Sequence, residues 1–250
     1  MTPETSGGSS DRLAPPPRLL LAASSHRSGS TLLQRYVTAL SSTFVWGENG
    51  AFIGALRTAA DGWPGNRRNE RDYREIMNAP SSIERRYTPN LAPPRDVLLD
   101  AMRRTVRGVY GEMPTGFDAW GWKAVSYGIA DIDFVRTLFP DIRIVLLIRD
   151  PWDVARSIRR KGWIDRRGYY RDMADAAEHW MLRTRDFLEI AARDDGGIFL
   201  LRYEDLRERR DELHAFLDVD VDPARSDEVL SRKLGAAPTL SRFRPVSYTH

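Results

Sequence analysis

Residues 142–148, "IRIVLLI", are apolar almost throughout, and they limit what this chain can become. A strand with one wet face alternates apolar and polar residues; a strand that is apolar on both faces has to be covered on both. The run is followed at once by "RDP". Asp150 can cap a helix there, with Pro151 at its first position and Asp153 in its first turn. A buried strand feeding directly into a helix is the repeating unit of a parallel sheet packed between helices.

The same alternation runs along the chain. Leu19–Ala23, Thr43–Trp46, 120–125 ("WGWKAV") and 197–203 ("GIFLLRY") read as further strands. Helical spacing appears over 31–40 and 51–60, from Pro94 to about Gly108, over 132–138 up to Pro140, over 171–192, and in "EDLRERRDELHAFL". Residues 67–94 are charged, broken by prolines and weakly patterned, and the tail from Gly235 carries little regular pattern. The expected fold class is α/β, a three-layer sandwich with a mostly parallel central sheet. Such sheets bind ligands at the carboxyl ends of their strands. The loops after Ala23, Trp46, Lys123, Ile148 and Leu201 are therefore expected to share one rim.

The chain has 250 residues, 42% of them hydrophobic, enough for one substantial core. Residues 1–17, "MTPETSGGSSDRLAPPP", lack the apolar stretch of a secretory signal and read as a disordered leader before a single domain over 18–250. No apolar run is long enough for a membrane span. Without cysteine there is no disulfide, thiolate metal site or cysteine nucleophile. Together these features give the expectation of a cytoplasmic protein. Lys and Arg number 38 against 35 Asp and Glu, a mild excess that suits an anionic ligand. No zinc-finger, RRM or KH pattern and no long basic run is present, so no nucleic-acid partner is expected.

"SSHRSGST" joins the first strand to the first helix. A nucleotide-hydrolysing loop reads G-x-x-x-x-G-K-[ST]. Laid on Gly29, the pattern puts Ser24 at the first glycine, Ser30 at the lysine and Thr31 at the hydroxyl position. Backbone N–H groups around Gly29 and the dipole of the following helix still favour an anion, and Arg27 supplies a cation. The lysine for a β/γ-phosphate is missing, and so is an acid to hold magnesium, so the loop suits an anion other than a metal-bound triphosphate. The plainer alternative is a serine-rich turn. "RIVLLIRDPWDVARSI" adds a second feature: Arg149 at a strand end and Ser157 eight residues on can face one pocket, a donor fork and a hydroxyl for a phosphate. Lys161 shares the face of Ser157, but 159–161 also read as a solvated basic patch.

"HRSGSTLL", "RDPWDVARS" and "LLRYEDL", in this order, resemble the sulfotransferases that use 3′-phosphoadenosine 5′-phosphosulfate (PAPS). The nearest branch is the tyrosylprotein-sulfotransferase-like one, with its small bacterial relatives. The resemblance spans anchor points across residues 19–206. It implies a P-loop-containing nucleotide-hydrolase-like fold in its sulfotransferase form, and PAPS as co-substrate with no metal. It assigns the 5′-phosphosulfate to Arg27, Ser28, Gly29, Ser30 and Thr31, and the 3′-phosphate to Arg149 and Ser157. Tyr203 matches a position near the nucleotide. Glu48, 21 positions after Arg27, matches the general base of that branch, with His26 as rival base; Lys123 matches a lysine acting on the bridging oxygen. Each has a plainer alternative: Glu48 as an acid at a helix N-terminus, Lys123 as a lysine at a strand end. Trp120 and Trp122 read as packing residues or as a stacking surface for adenine, His179 as an ordinary helix residue, and Trp180 as core or acceptor-pocket wall.

The resemblance implies a sulfuryl acceptor bearing a hydroxyl, and residues 51–114 are expected to build its pocket. The tyrosylprotein enzymes are membrane-anchored and disulfide-bonded; neither feature is visible here, so the expectation is a small molecule, glycan or lipid. "LSRFRPVS", through Ser241, Arg242 or Arg244, stands in for the C-terminal basic segment of the family. Two other readings remain open: a P-loop kinase of small molecules, and a non-catalytic nucleotide-binding module.

Overall fold

The computed structural model describes residues 14–64, 67–86, 91–164, 169–193 and 196–231. In chain order the elements are β1 (Leu19–Ala23), α1 (Ser30–Leu40), β2 (Thr43–Trp46), α2 (Phe52–Asp61) and α3 (Arg67–Asn78). A 3₁₀ turn (Pro80–Ser82), α4 (Ile83–Arg86), α5 (Arg95–Tyr110), β3 (Ala119–Val125), α6 (Ile129–Leu138) and β4 (Arg143–Ile148) follow. The chain continues through α7 (Pro151–Lys161), α8 (Met173–Ala192), β5 (Ile198–Arg202), a second 3₁₀ turn (Tyr203–Asp205), α9 (Arg210–Leu217) and α10 (Pro223–Ser231).

The five strands form one sheet in the order β2-β3-β1-β4-β5, and every pairing is parallel. β1 lies at the centre, with all five residues buried. Its alternation divides the core. Leu20 and Ala22 face a layer formed with α2, α5, α6 and α8, whereas Leu19, Leu21 and Ala23 face α1, α9 and α10. Each fully buried leucine or isoleucine contributes about 1.5–3 kcal/mol of transfer free energy, which is why the most apolar segments became the central strands. Trp120 and Trp122 are fully buried in the first layer, so both are packing residues.

The parallel sheet and its covered faces match the expected α/β sandwich. Four local readings need correction. Residues 67–78 form α3, although no apolar period announces it. The helix is held instead by ion pairs one turn apart, Arg68–Asp72 at 3.7 Å and Arg71–Glu75 at 4.0 Å, and its inward face includes the buried polar residues Asn69 and Asp72. α6 begins at Ile129, where the Asp131 carboxylate accepts from Gly128 N at 3.1 Å. β3 runs to Val125 as expected, so the loop at its carboxyl end follows Val125 and not Lys123. The segment after β5 is not one helix: a 3₁₀ turn separates the strand from α9 and carries Tyr203 back over the sheet edge.

Residues 14–17, inside the segment read as leader, touch the fold: Trp120 Nε1 donates to Pro15 O at 2.8 Å, and Arg107 Nε donates to Ala14 O. Residues 1–13, and Ser241, Arg242 and Arg244, lie outside the described residues.

Candidate active site

β1 ends by passing its ladder on to the loop, with Ser24 N donating to Leu147 O at 3.0 Å. Two residues in the left-handed region, Arg27 at φ 67° and Gly29 at φ 89°, then turn the chain into α1. Gly29 caps α1 without a side-chain hydrogen bond, and its carbonyl accepts from Leu32 N and Leu33 N. The first N–H groups of a helix have no partner within it, and such an end attracts anions. Ser28 stabilises the loop from inside. Its hydroxyl donates to Ser25 O at 2.6 Å and lies 3.0 Å from Ser25 Oγ.

A cavity of about 160 Å³ opens at this end of the sheet. Among its lining residues are Arg27, Gly29, Ser30, Thr31, Glu48, Lys123, Arg149 and Tyr203. Residues far apart in the chain thus meet at the carboxyl ends of β1, β2, β3 and β4, as the topology requires. Ser28 and Ser157 stand behind the lining. Ser157 is buried on α7, and its hydroxyl accepts from Arg27 Nε at 3.0 Å. Arg27 is thereby held from the side, with its guanidinium 5.3 Å from the centre of the Trp163 ring.

Arg149 is the second cation. Its Nη1 donates to Arg27 O at 3.1 Å, and its Nη2 lies 3.5 Å from Asp153 Oδ2. Its guanidinium sits 4.4 Å from the centre of the Tyr203 ring. Nε is buried and has no partner among the described residues, a costly state for a charged donor. Asp150 caps α7 as expected, accepting from Trp152 N at 2.9 Å and Asp153 N at 3.1 Å, while Glu204 accepts from Asp150 N at 3.0 Å. Arg159, Arg160 and Lys161 are exposed.

Lys123 is the one charged residue of a strand otherwise made of apolar residues and glycine, and its side chain is 8% exposed. A buried ammonium needs a partner. Lys123 Nζ donates to Glu48 Oε1 at 2.7 Å, and the Glu48 side chain is 44% exposed. The other carboxylate oxygen, Oε2, has no hydrogen-bond partner among the described residues. Glu48 lies three residues before Ala51, the N-cap of α2, and so outside the first turn of that helix.

His26 borders the same cavity, and burial holds its imidazole below the usual range. Its Nδ1 is 3.1 Å from Tyr170 OH, and its ring packs against Trp163 and Tyr169. His179, also held low by burial, bonds Ser126 Oγ at 2.8 Å. Tyr127 donates to Asn49 Oδ1 at 2.9 Å, and burial pushes its phenol up to about 12. Trp180 Nε1 donates to Arg149 O at 3.0 Å and so fixes the strand end. Sequence reasoning missed Trp163 and Tyr170. The aromatic cluster "WIDRRGYY" after α7 was the available signal, but only the fold brings it to His26 and Arg27.

A parallel sheet whose central strand runs through a tight glycine turn into a helix, covered by helices on both faces, is the P-loop nucleotide-hydrolase-like fold. The chain belongs to the sulfotransferase family, whose model matches residues 21–219. Two solved structures of the same fold are sulfotransferase domains. One is from the curacin biosynthetic pathway, with 17% identity and a TM-score of 0.52, covering 84% of this chain and 76% of the other. The second is from the Synechococcus PCC 7002 olefin synthase, with 19% identity and a TM-score of 0.50, covering 93% of this chain and 94% of the other. No curated protein matches the chain closely enough to count as a relative. Among the described residues no helix is long and apolar enough to cross a membrane.

Proposed function

We propose that this sulfotransferase moves the sulfuryl group of PAPS to a hydroxyl on a small molecule, glycan or lipid. The observation that carries this reading is the meeting of Arg27, Lys123 and Glu48 in one cavity beside the N-terminus of α1. Arg27 and the backbone donors of Gly29, Ser30 and Thr31 hold the 5′-phosphosulfate. Arg149 serves the 3′-phosphate, and its buried unpartnered Nε is a donor that such a phosphate would satisfy. Ser157 acts on this site through Arg27, which its hydroxyl orients. Tyr203 supports the guanidinium of Arg149.

Sulfuryl transfer resembles phosphoryl transfer in its demands: in-line positioning, and stabilisation of charge on the transferred group and the leaving phosphate. Glu48 takes the acceptor proton on Oε2. The acceptor oxygen forms a bond to sulfur as the bond from sulfur to the phosphate oxygen breaks, and adenosine 3′,5′-bisphosphate leaves with that electron pair. Lys123 and Arg27 stabilise the charge appearing on the bridging oxygen. Both cations are already placed, so little reorganisation is needed at the moment of reaction.

The test is calorimetric binding of adenosine 3′,5′-bisphosphate beside ADP and ATP without magnesium. Preference for the bisphosphate is expected, and it would justify an acceptor screen with PAPS. Preference for ATP, or binding of none, would overturn the assignment of the donor.

A further inference from the structure

We infer that the opposite end of the sheet carries a second anion site, suited to a phosphorylated small molecule of nucleotide size. A cavity of about 630 Å³ opens where β1 and β4 begin, walled by α5 and the end of α6. That volume lies within the usual span of small-molecule sites, about 300–1,000 Å³. It is well apart from the sulfuryl-transfer cavity, since in a parallel sheet the two strand ends face opposite ways.

Five arginines line it: Arg18, Arg103, Arg104, Arg107 and Arg143. The carboxylates of the lining are Asp100 and Asp141, which leaves five minus two, a net charge of +3. Asp100 is already paired with Arg104. Arg18 and Arg143 both border the cavity at the strand starts, where Arg143 N donates to Arg18 O at 3.0 Å and Arg143 stands in register with Leu19. Neither guanidinium has a hydrogen-bond or ion-pair partner among the described residues, and Arg143 is only partly exposed. An anion in the cavity gives such unpaired guanidiniums a counter-charge and acceptors for their donors.

Arg103 adds a preset donor. Its Nε and Nη2 donate to Leu138 O at 2.7 Å and Thr137 O at 3.1 Å, which neutralises the negative end of α6 and fixes the guanidinium plane. Its Nη1 has no partner among the described residues. A phosphate is the group that several planar forks bind best, because its oxygens accept in pairs and it carries up to two charges. Phe139, Pro140 and Ile142 give the cavity an apolar wall against which the organic part of a phosphate ester can lie.

The experiment uses the full chain and inorganic pyrophosphate as probe, with calorimetry for affinity and hydrogen exchange for location. In the unmodified protein, pyrophosphate should slow exchange in α5 and at the start of β4. The double variant Arg18→Ala with Arg143→Ala should lose that protection and about tenfold or more in affinity for this site, while Arg149→Ala should retain both. The milder pair Arg18→Lys with Arg143→Lys keeps the charge and removes the forks; a loss of affinity at this site is expected there also, and it decides the matter should the alanine pair fail to fold. Protection confined to residues 24–31, or an unchanged α5 footprint and affinity in both double variants, would overturn the site. Neither result bears on the donor preference tested above.

Discussion

Lys123 and Glu48 come from adjacent parts of the sheet, a strand and the loop beyond its neighbour, and meet at 2.7 Å with the ammonium buried and the carboxylate half in solvent. The contact holds the carboxylate by one oxygen, at the wall of the cavity that Glu48 lines. Glu48→Gln preserves the size and the bond to Lys123 but removes the proton acceptor. Turnover with PAPS should fall by roughly a hundredfold to ten-thousandfold, and the affinity for adenosine 3′,5′-bisphosphate should stay within about threefold. His26→Gln serves as the control for the rival base. If His26→Gln abolishes turnover and Glu48→Gln does not, the base assignment passes to His26.

Lys123→Met separates catalysis from stability. A buried ion pair gives up much of its Coulombic gain to desolvation, and removing one member is strongly destabilising only where it leaves the other charge buried and unpaired. The partner carboxylate here is partly solvated, so it is not stranded by the change. Thermal unfolding should therefore be unchanged or slightly raised, while transfer from PAPS drops strongly. A large loss of stability with normal turnover per folded molecule would make Lys123 a structural residue.

Gly29 is forced by two independent constraints. Its φ of 89° strains any L-residue, and a Cβ there would lie 2.2 Å from Tyr203 Cδ2. Gly29→Ala should cost about 1–2 kcal/mol for the backbone alone, with a further cost from the ring. In a Tyr203→Ala background the steric part disappears and only the backbone part remains. Chemical denaturation of the two single variants and the double would reveal this as a coupling between the sites. Strict additivity would mean that Tyr203 does not pack on the loop in solution.

The fold was legible where burial is two-sided. The strands are mostly apolar runs between turn residues, with Lys123 the charged exception inside β3, and Asp150-Pro151 announces α7 by chemistry that needs no distant partner. α3 was not legible, because its inward face carries Asn69 and Asp72 and its stabilising pairs are charged. At the site, the residue types of the loop and of Arg149 could be read from spacing. The bond from Arg27 to Ser157, the place of Tyr203 over Gly29, and the aromatic shell around His26 depend on contacts between residues more than a hundred positions apart, which no local pattern encodes.

His26, His179 and His214 should make stability fall on mild acidification. Burial is the main cause that holds each imidazole below its usual range. For His214, the ring lies 2.6 Å from Tyr36 OH, which also bonds Ser226 Oγ at 2.6 Å, tying α1 to α9 and α10. A base whose folded pKa is depressed stays neutral in the fold while the unfolded chain is already protonated. Unfolding then takes up protons, so stability is full above about pH 6.5 and is lost as pH falls below it. Each histidine can add up to about 1.4 kcal/mol per pH unit. Denaturation midpoints measured between pH 7.5 and 5.5 should fall with pH, and His214→Gln should flatten the slope. A slope unaltered by His214→Gln would remove that residue from the account.

Arg149 offers the most direct test of how the donor is read. Its guanidinium is fixed by Arg27 O, Asp153 and the Tyr203 ring, yet its buried Nε is unpartnered. A 3′-phosphate would satisfy that donor, and AMP, which lacks one, would not. Arg149→Ala should then weaken adenosine 3′,5′-bisphosphate by roughly tenfold to a hundredfold, the range of a charge-assisted hydrogen bond, and AMP much less. Because the same side chain braces the loop through Arg27 O, some loss for both nucleotides is expected from the backbone contact alone. The discriminating quantity is therefore the ratio of the two affinities, measured by calorimetry in the unmodified protein, Arg149→Ala and Arg149→Lys. A ratio that collapses in the alanine variant and partly recovers with lysine places the 3′-phosphate at Arg149. An equal loss for both nucleotides would leave Arg149 as a brace for the loop and move the 3′-phosphate elsewhere.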